Sequence, residues 1–425
     1  MVLAAPKEGA KVLMFADANF LAHVSRVLEI GKVLRDCYGC DVRYAGDGPY
    51  LKFIRDAGFK IEYCYTVPKA TTLELVRRAS LGNPFWWHKT VMRSIDSDVQ
   101  AIRNFNPDMV VGDMHWTLKA SAVECKVPYV SIVNGAWTKY LDYTIEAFDD
   151  HFLTSMLGRK RATSALPALK RSLLTFWALP YIMWKVMEGH GGVNVRSIYE
   201  ILEGDLTLMA DIPEFCPTAN LPESVKYIGP ILWEAPMPAP DWLKRLDPSR
   251  PVIYITMGST GKKEFFEAGR KAFENTKYQV VMTCGEIDFS GERVPDNFFI
   301  TDFAPGLAIL KHSDLVVNHG GNGTIYQALT AGVPIAGIPT HIDQQIQLQL
   351  CERIRVGLKL REKVLSPELL RNVADEIIAD PSYRVNARQV GWILAKCDGA
   401  RTGAAEIIEF MRKRMSSAAS LSKAC

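Results

Sequence analysis

The chain has 425 residues, of which 48% are hydrophobic and 23% charged, so it is long enough for two domains with substantial cores. Fifty lysines and arginines against 47 aspartates and glutamates leave a net charge of +3, which argues against a nucleic-acid or anionic-membrane partner. The nine cysteines are scattered and only Cys37 and Cys40 show C-x-x-C spacing, which excludes a paired zinc set and favours reduced thiols in a cytoplasmic protein.

The N-terminal half alternates short apolar runs with segments of helical spacing. Its start lacks the basic region and long apolar stretch of a signal peptide, and KVLMFA at 11–16 predicts a buried strand. Further strand candidates are DVRYAG, FKIEYCY, PDMVVGD and VPYVSIVN, separated by stretches of helix length. This alternation is typical of a parallel sheet flanked by helices.

The most apolar window, residues 171–187, is interrupted by Arg171, Pro180 and Lys185. Its unbroken part is too short to span a bilayer, so it predicts a helix that lines an apolar pocket and no transmembrane segment. Peripheral contact with a membrane stays open.

A change in composition separates the two halves. GPILWEAPMPAPDWLKRLDPSRP carries six prolines and no periodicity, which predicts a linker at 231–250. A second strand series follows, with PVIYITMG, YQVVMTCG, NFFITDF, DLVVNHG and VPIAGIP. The sequence therefore predicts an α/β protein with two Rossmann-like domains that contain parallel sheets.

The stretch NHGGNGT at 318–324 places three glycines, an imidazole and a hydroxyl where a buried strand leads into a helix. Doubly wound sheets bind ligands at such carboxyl-terminal strand ends. Glycines let a bulky anion approach the backbone, and the free amides of the helix start suit a phosphate or pyrophosphate. Glycine-rich turns also occur without a ligand, so this loop alone leaves a simple tight turn open.

Two other strand ends carry polar side chains. YITMGSTGKKEF superficially resembles a P-loop, but Gly258 lies too close to Gly261 and Lys262 for that kinase or ATPase motif. GIPTHIDQQIQ presents Asp343 and Gln344, a carboxylate and a carboxamide that together can bind sugar hydroxyls. Asp343 could equally cap a helix that begins at Gln344.

Together these loops carry the signature of a known family. HGGNGTIYQALTAGVPIAGIPTHIDQ, a run of 26 residues, resembles the nucleotide-sugar signature of the family 1 glycosyltransferases, the UDP-glycosyltransferase superfamily. FAPGLAIL, ITMGST, VKYIGPIL and LMADIPEFCP extend the resemblance over most of the chain. It implies the GT-B fold of two facing Rossmann-like domains. The acceptor-binding domain would be 1–230, the linker 231–250, the nucleotide-sugar-binding domain 251–400, and the C-terminal helix returning to the first domain, with a tail, 401–425.

The resemblance also implies a donor site. His319 and the amides around Gly321 would hold the pyrophosphate. Gln327 stands where many members have the glutamate that binds ribose, and Gly306 replaces their usual glutamine, so UDP-sugars and dTDP-sugars both stay open. Phe303 would lie against the nucleobase. The donor-binding set implied by the resemblance is Ser259, Thr260, Phe303, Ala304, His319, Gly321, Asn322, Gly323, Thr324, Gln327, Asp343 and Gln344.

In the N-terminal half, the resemblance implies a catalytic pair. His23, in ANFLAHVSRVLEIG, takes the position of the family's histidine after the first strand, and Asp113, ending PDMVVGD, takes that of its supporting carboxylate. The positive end of a helix disfavours protonation of an imidazole, which leaves it able to accept a hydroxyl proton. The acceptor-binding residues would be Asn19, Phe20, His115 and Trp137.

The implied function is that of an inverting glycosyltransferase, a hexosyltransferase of the kind used in natural product glycosylation. His23 would deprotonate a hydroxyl of a small, apolar or aromatic acceptor, and the nucleoside diphosphate would leave without an obligatory metal or other cofactor. The expected partners are a nucleotide-sugar donor and this acceptor, and the chain would be a cytoplasmic monomer or homodimer.

Two alternatives use the same fold. A nucleotide-sugar 2-epimerase would release a free rearranged sugar, but it needs several acidic residues around the donor sugar, which this signature lacks. A non-catalytic nucleotide-sugar-binding protein would keep the donor loop and lack the base, whereas His23 and Asp113 are both present.

Overall fold

The chain forms two compact units in the computed structural model. The structure describes residues 9–72, 84–147, 152–158, 160–164, 188–189, 195, 197–258, 262–285, 287, 289, 293–361 and 365–424. The first unit contains the described residues of Met1–Tyr143, Thr163–Ile231 and Asp398–Cys425. The second contains those of Thr144–Ala162 and Leu232–Cys397.

Each unit is built on one parallel sheet. The strands of the first unit are β1 (Lys11–Phe15), β2 (Asp41–Gly46), β3 (Lys60–Tyr63), β4 (Met109–Asp113), β5 (Tyr129–Val133), β6 (Leu206–Met209) and β7 (Val225–Tyr227). Those of the second are β8 (Val252–Thr256), β9 (Gln279–Thr283), β10 (Phe298–Thr301), β11 (Leu315–Asn318), β12 (Ile335–Gly337) and β13 (Gly357–Lys359). The sheet orders are β3-β2-β1-β4-β5-β6-β7 and β10-β9-β8-β11-β12-β13.

Helices connect these strands. Their bounds are α1 (Leu21–Tyr38), α2 (Leu51–Asp56), α3 (Pro84–Phe105), α4 (Leu118–Cys125), α5 (Phe152–Leu157), α6 (Ile198–Leu202), α7 (Lys263–Phe273), α8 (Gly306–Leu310), α9 (Asn322–Thr330), α10 (Ile342–Arg353), α11 (Pro367–Ala379), α12 (Pro381–Leu394) and α13 (Gly399–Ala424). Short 3-10 helices cover Gly135–Trp137 and Asp241–Arg245.

The strand order locates a ligand crevice in each sheet. In the first sheet the order reverses between β1 and β4, and in the second it reverses between β8 and β11. Doubly wound sheets bind ligands outside the carboxyl ends of the strands at this reversal. The loops that follow these four strands are therefore the candidate ligand-binding positions.

Strand β1 shows why the predicted apolar runs form central strands. Val12 and Met14 belong to a buried cluster that also contains residues of α1 and α13, whereas Leu13 and Phe15 belong to a cluster with residues of α3 and α4. Successive side chains of a strand point to opposite faces, so helices cover the sheet on both sides.

The C-terminal helix α13 packs against α1 within the first unit. Ala404, Ile407, Ile408 and Met411 are buried in the same cluster as Val24 of α1. The chain leaves the first unit after Ile231 and re-enters it at Asp398, so this helix adds to a core formed mainly by the first half of the sequence.

The doubly wound α/β fold with two Rossmann-like sheets is confirmed. Each strand candidate named from the sequence contains a strand of the structure. Strands β6 and β13 are not among those candidates, and β7 lies in VKYIGPIL, which was quoted only for the resemblance. These strands have three or four residues each, too few for a recognisable pattern.

One segment lies in a different unit from the one that the sequence assigns to it. The described residues among 144–162 group with the second unit rather than with the N-terminal domain. The carboxamide of Gln349 in α10 binds the backbone of Glu146, with Oε1 accepting from the amide at 2.8 Å and Nε2 donating to the carbonyl at 3.2 Å. This contact holds the segment against α10.

The structure also bears on the cysteines and on the apolar window. The eight cysteines in the described ranges are free thiols. No helix in those ranges is long and apolar enough to cross a membrane, and residues 171–187 lie outside them.

Candidate active site

The reversal point of the first sheet brings an imidazole and a carboxylate together. His23 lies in the first turn of α1, which follows β1, and Asp113 is the last residue of β4. Nδ1 of His23 lies 2.6 Å from Oδ1 of Asp113. The Asp113 side chain is fully buried, whereas 24% of the His23 side chain is exposed. The two residues paired from the sequence are therefore in contact, with the imidazole on the solvent side.

The carboxylate decides which nitrogen of His23 can act as a base. An ionised carboxylate only accepts hydrogen bonds, so the ring proton lies on Nδ1 and the lone pair lies on Nε2. Helix α1 has no acidic residue in its first turn and no side-chain cap, so its positive end is not compensated there. The ring of Phe20 packs edge-on against the imidazole, with centroids 5.8 Å apart. This arrangement can accept a proton at Nε2.

Arg26 is a member of this site that the sequence analysis missed. Its Nη2 donates to Oδ1 of Asp113 at 2.7 Å, and its Nε lies 2.6 Å from Oδ2. Its Nη1 donates to the side-chain oxygen of Asn134, directly after β5. Arg26 lies three residues after His23 among the buried residues of α1, and a cation in an apolar stripe requires a buried anion. That requirement is the signal that could have found it.

A second carboxyl group acts on His23 from the loop after β1. Oδ1 of Asp17 accepts a hydrogen bond from the Asn19 amide at 3.2 Å. Burial raises the pKa of Asp17, while the charges of His23 and His115 act in the lowering direction. The sequence analysis did not single out Asp17, because aspartate after a strand is a common turn residue.

The predicted acceptor residues surround the ends of β1, β4 and β5. The Nδ2 of Asn19 donates to the Val67 carbonyl at 2.9 Å, so this side chain holds the β1 loop in place. Nε2 of His115 lies 3.6 Å from the buried carboxylate of Asp98, and its ring packs edge-on against Phe15 at 5.3 Å.

The end of β5 carries an aromatic cluster. Trp137, in the 3-10 turn after β5, packs edge-on against Trp116, with centroids 6.1 Å apart. Both rings, together with Met114 and Tyr140, are partly buried against the cluster that contains Val133. This gives the first unit an apolar, aromatic surface beside the ends of β4 and β5.

In the second unit, the loop between β11 and α9 has the geometry of an anion site. Oδ1 of Asn318 accepts a hydrogen bond from the Gly320 amide at 2.7 Å, and Gly320 has a φ of +89°, a conformation that favours glycine. Gly321 is the N-cap of α9 and provides no side-chain cap. Asn322, Gly323 and Thr324 form the first turn, so their amides lie at an uncapped positive helix end.

His319 fills a slot under this helix start. It is 7% exposed, and its Nδ1 has no hydrogen-bond partner in the part of the chain that the structure describes. A methyl group added at Gly258 would lie 2.7 Å from its Cε1, and one added at Gly321 would lie 2.8 Å from its Nε2. Burial, and then the proximity of His341, lowers the pKa of His319 to about 3. The imidazole is therefore neutral at physiological pH.

This lowered pKa makes the stability of the protein depend on pH. Below the usual value of 6.5 the unfolded chain binds a proton at His319, and the folded chain does not until about pH 3. Stability that is present above pH 6.5 is thus lost as the pH falls, by about 2 kcal/mol at pH 5. Urea unfolding at pH 5 and pH 7 should show this loss in the wild type and a smaller one in His319→Gln. Equal losses in both proteins would contradict the expectation.

The residues predicted to contact the nucleoside depart from the family pattern. Nε2 of Gln327 donates to the Trp233 carbonyl at 2.8 Å, and a methyl group added at Gly306 would lie 2.9 Å from Oε1 of Gln327. The missing side chain at Gly306 therefore makes room for the Gln327 carboxamide. Phe303 is 44% exposed and the neighbouring Ala304 is buried, so the Phe303 ring is available for a ligand to stack on.

The residues predicted to bind the donor sugar begin α10. This helix starts at Ile342 with His341 as N-cap, so Asp343 lies in the first turn and is not the N-cap. Oε1 of Gln344 accepts from the amide of Thr340 at 2.8 Å and from its hydroxyl at 3.0 Å. Ser259 and Thr260 lie outside the described residues. Within those residues, His, Cys, Asp and Glu side chains form no group of three or more that could hold a metal ion.

Comparison with known proteins identifies the family. Residues 277–401 match the family model described as erythromycin biosynthesis protein CIII-like, C-terminal domain. A PGL/p-HBAD biosynthesis glycosyltransferase of Mycobacterium tuberculosis is 31% identical over 392 residues, which cover 91% of this chain and 90% of the relative. A PGL/p-HBAD biosynthesis rhamnosyltransferase of Mycobacterium bovis is 30% identical over 385 residues, which cover 89% and 83%.

Solved structures agree on the fold. The calicheamicin glycosyltransferase CalG4 superimposes with a TM-score of 0.69 at 21% identity, covering 96% of this chain and 99% of that protein. The two parallel-sheet units correspond to the GT-B architecture of such enzymes. The chain therefore belongs to the family 1 glycosyltransferases and is a glycosyltransferase of the GT-B fold.

Proposed function

We propose that this glycosyltransferase is inverting and uses His23 as the general base toward an acceptor hydroxyl. The observation that carries the proposal is the 2.6 Å contact between Nδ1 of His23 and the buried Asp113, which leaves Nε2 to take the proton. The acceptor oxygen then bonds to the anomeric carbon, and the bond from that carbon to the diphosphate oxygen breaks. A single displacement of this kind inverts the anomeric configuration.

The departing diphosphate is assigned to the start of α9. The uncapped amides of Asn322, Gly323 and Thr324 and the positive helix end stabilise a developing negative charge. Neutral His319 fills the space under the start of α9 and offers a nitrogen for hydrogen bonding, but it adds no positive charge. Because the helix end supplies this stabilisation, the proposed reaction requires no metal ion.

We propose a dTDP-sugar as donor in preference to a UDP-sugar. Nε2 of Gln327 is engaged by the Trp233 carbonyl, which leaves Oε1 as the acceptor toward a pentose. One acceptor matches the single free hydroxyl of a deoxyribose, whereas a ribose offers two hydroxyl donors, one of which would lose its water without a new partner.

The names of the relatives support the choice of sugar and acceptor. Both relatives are named for PGL/p-HBAD biosynthesis and one is named a rhamnosyltransferase, so rhamnosyl transfer is the first candidate for this chain. The partly buried Trp137, Trp116 and Met114 support an apolar or aromatic acceptor.

The test is product analysis with the purified chain. It would be incubated with dTDP-rhamnose or UDP-sugars and a panel of phenols and alcohols with apolar substituents, with and without EDTA. We expect a mass increase of one deoxyhexosyl group on the acceptor and, by NMR, an inverted anomeric centre, with EDTA having no effect. A product with retained configuration would overturn the single displacement, and release of rearranged sugar without acceptor would replace transfer by epimerisation.

Changing Gln327 to Glu should reverse the preference for dTDP over UDP. We expect wild-type protein to bind dTDP about tenfold more tightly than UDP, because an unpartnered hydroxyl costs roughly 1–3 kcal/mol. A glutamate cannot donate to the Trp233 carbonyl and offers two acceptor oxygens, so UDP should gain relative to dTDP. Calorimetric titration with both nucleotides measures the ratio. Gln389→Glu, on the exposed face of α12, is the matched control and should leave the ratio unchanged.

A further inference from the structure

Two side chains of one helix bind the same carboxylate. Arg26 follows His23 by three positions in α1, and both side chains contact Oδ1 of Asp113, at 2.7 Å and 2.6 Å respectively. Nε of Arg26 also lies 2.6 Å from Oδ2, an ion-pair contact without hydrogen-bond geometry, so the guanidinium lies against both oxygens. The carboxylate that supports His23 is therefore already paired with a full positive charge.

The guanidinium of Arg26 is held by two partners, Asp113 and Asn134. It is buried together with Asp113, with side-chain exposures of 7% and 0%. Its remaining terminal nitrogen, Nη1, donates to the side-chain oxygen of Asn134. A planar guanidinium held in this way fixes the orientation of the Asp113 carboxylate and compensates its negative charge.

The charges around His23 differ from those of a simple imidazole–carboxylate dyad. In such a dyad, proton uptake takes the net charge from −1 to 0. With Arg26 included, it takes the cluster from 0 to +1, which a buried site disfavours. Asp17, from the loop after β1, also acts on His23 and on His115, but burial raises the pKa of Asp17 and so favours its uncharged form. The Phe20 ring packs edge-on against the imidazole.

We propose that Arg26 is a positioning residue that keeps His23 unprotonated, and so competent as a base, by compensating and orienting Asp113. The proposal rests on the assigned role of His23 in the reaction. Removing the charge of Arg26 leaves Asp113 uncompensated, which favours the imidazolium. His23 would then keep its proton to a higher pH, and the acid limb of the activity profile would move upward.

The experiment measures the pH dependence of kcat/KM for the full chain. The donor is dTDP-rhamnose, and the acceptor is the phenol or alcohol of the panel described above that the wild type glycosylates. We expect the acid limb of Arg26→Gln to lie about one pH unit above that of the wild type. Arg26→Lys keeps the positive charge but cannot lie against both oxygens of Asp113. The acid limb of this variant should therefore stay in place while kcat falls. Arg43→Gln removes an arginine paired with Glu62 at 2.9 Å in the same sheet, and both limb and kcat should stay near wild type.

A second variant keeps the proposal testable if Arg26→Gln does not fold. Asn134→Asp retains Arg26 and its contacts but adds a carboxylate that shares the guanidinium charge. Its acid limb should also move to higher pH. A uniform loss of kcat/KM at every pH, with the limb unmoved in the variants that fold, would reduce Arg26 to a structural residue. That result differs from failure of the proposed function, in which His23→Ala would remain active.

Discussion

Replacing His23 with Ala is expected to lower kcat for transfer to a hydroxyl acceptor by about 10²- to 10⁴-fold, the usual contribution of a positioned general base. The reason is that His23 is the imidazole that the structure places on Asp113 with Nε2 left to accept a proton. Steady-state transfer at saturating donor and acceptor measures the effect. The acceptor KM should change far less than kcat, because the proton is removed in the transition state and not on binding.

Donor binding separates a lost base from a damaged protein. The residues assigned to the diphosphate belong to the second unit and His23 to the first, so dTDP affinity by calorimetry should equal that of the wild type. His312→Ala removes an exposed histidine after α8 and serves as the matched control, with full activity expected. Near-normal turnover in His23→Ala would remove His23 as the base and leave the family assignment untouched.

The fold could be predicted because its determinants are local. Runs such as VLMFA at 12–16 and LVV at 315–317 are apolar at every position, which is typical of strands covered on both faces, and a proline-rich stretch separates the two series. The grouping of the described residues among 144–162 with the second unit could not be predicted. One contact within that unit is made by Gln349 with the backbone of Glu146, 203 positions away in the chain, and no local pattern encodes such a contact.

The candidate site was predictable where a motif fixes the spacing. His23, Asp113 and the loop around His319 were named from the sequence, and the structure places the first two in contact and the third at a helix start; their roles stay predictions. Arg26 was missed because its role depends on an ion pair with Asp113, which lies 87 positions away in the chain. Gln327 was identified, but the hydrogen bond that its Nε2 makes was not, because the partner is the main-chain carbonyl of Trp233, 94 positions away.

Changing Gly321 to Ala is expected to weaken dTDP binding by about ten- to a hundredfold, corresponding to the roughly 1–3 kcal/mol that overpacking costs. The backbone at Gly321 has a φ of −68°, which any residue can adopt, so the effect would come from contact alone. The added methyl group would lie 2.8 Å from Nε2 of His319. The imidazole has little room to move, because it is buried and the backbone at Gly258 is also close, so that a methyl group added there would lie 2.7 Å from Cε1. Calorimetry with dTDP measures the loss.

Gly323→Ala is the control, two residues further along the same helix start. A methyl group there would meet no atom of the described residues within 4 Å, apart from its chain neighbours and its own helix backbone, so folding should be unaffected and dTDP binding should fall less than in Gly321→Ala. Because both changes add one methyl group beside the same amides, only the crowding of His319 distinguishes them. If Gly321→Ala bound dTDP normally while Gly323→Ala did not, the diphosphate would lie over the exposed side of the first turn, and the slot that holds His319 would have no part in donor recognition.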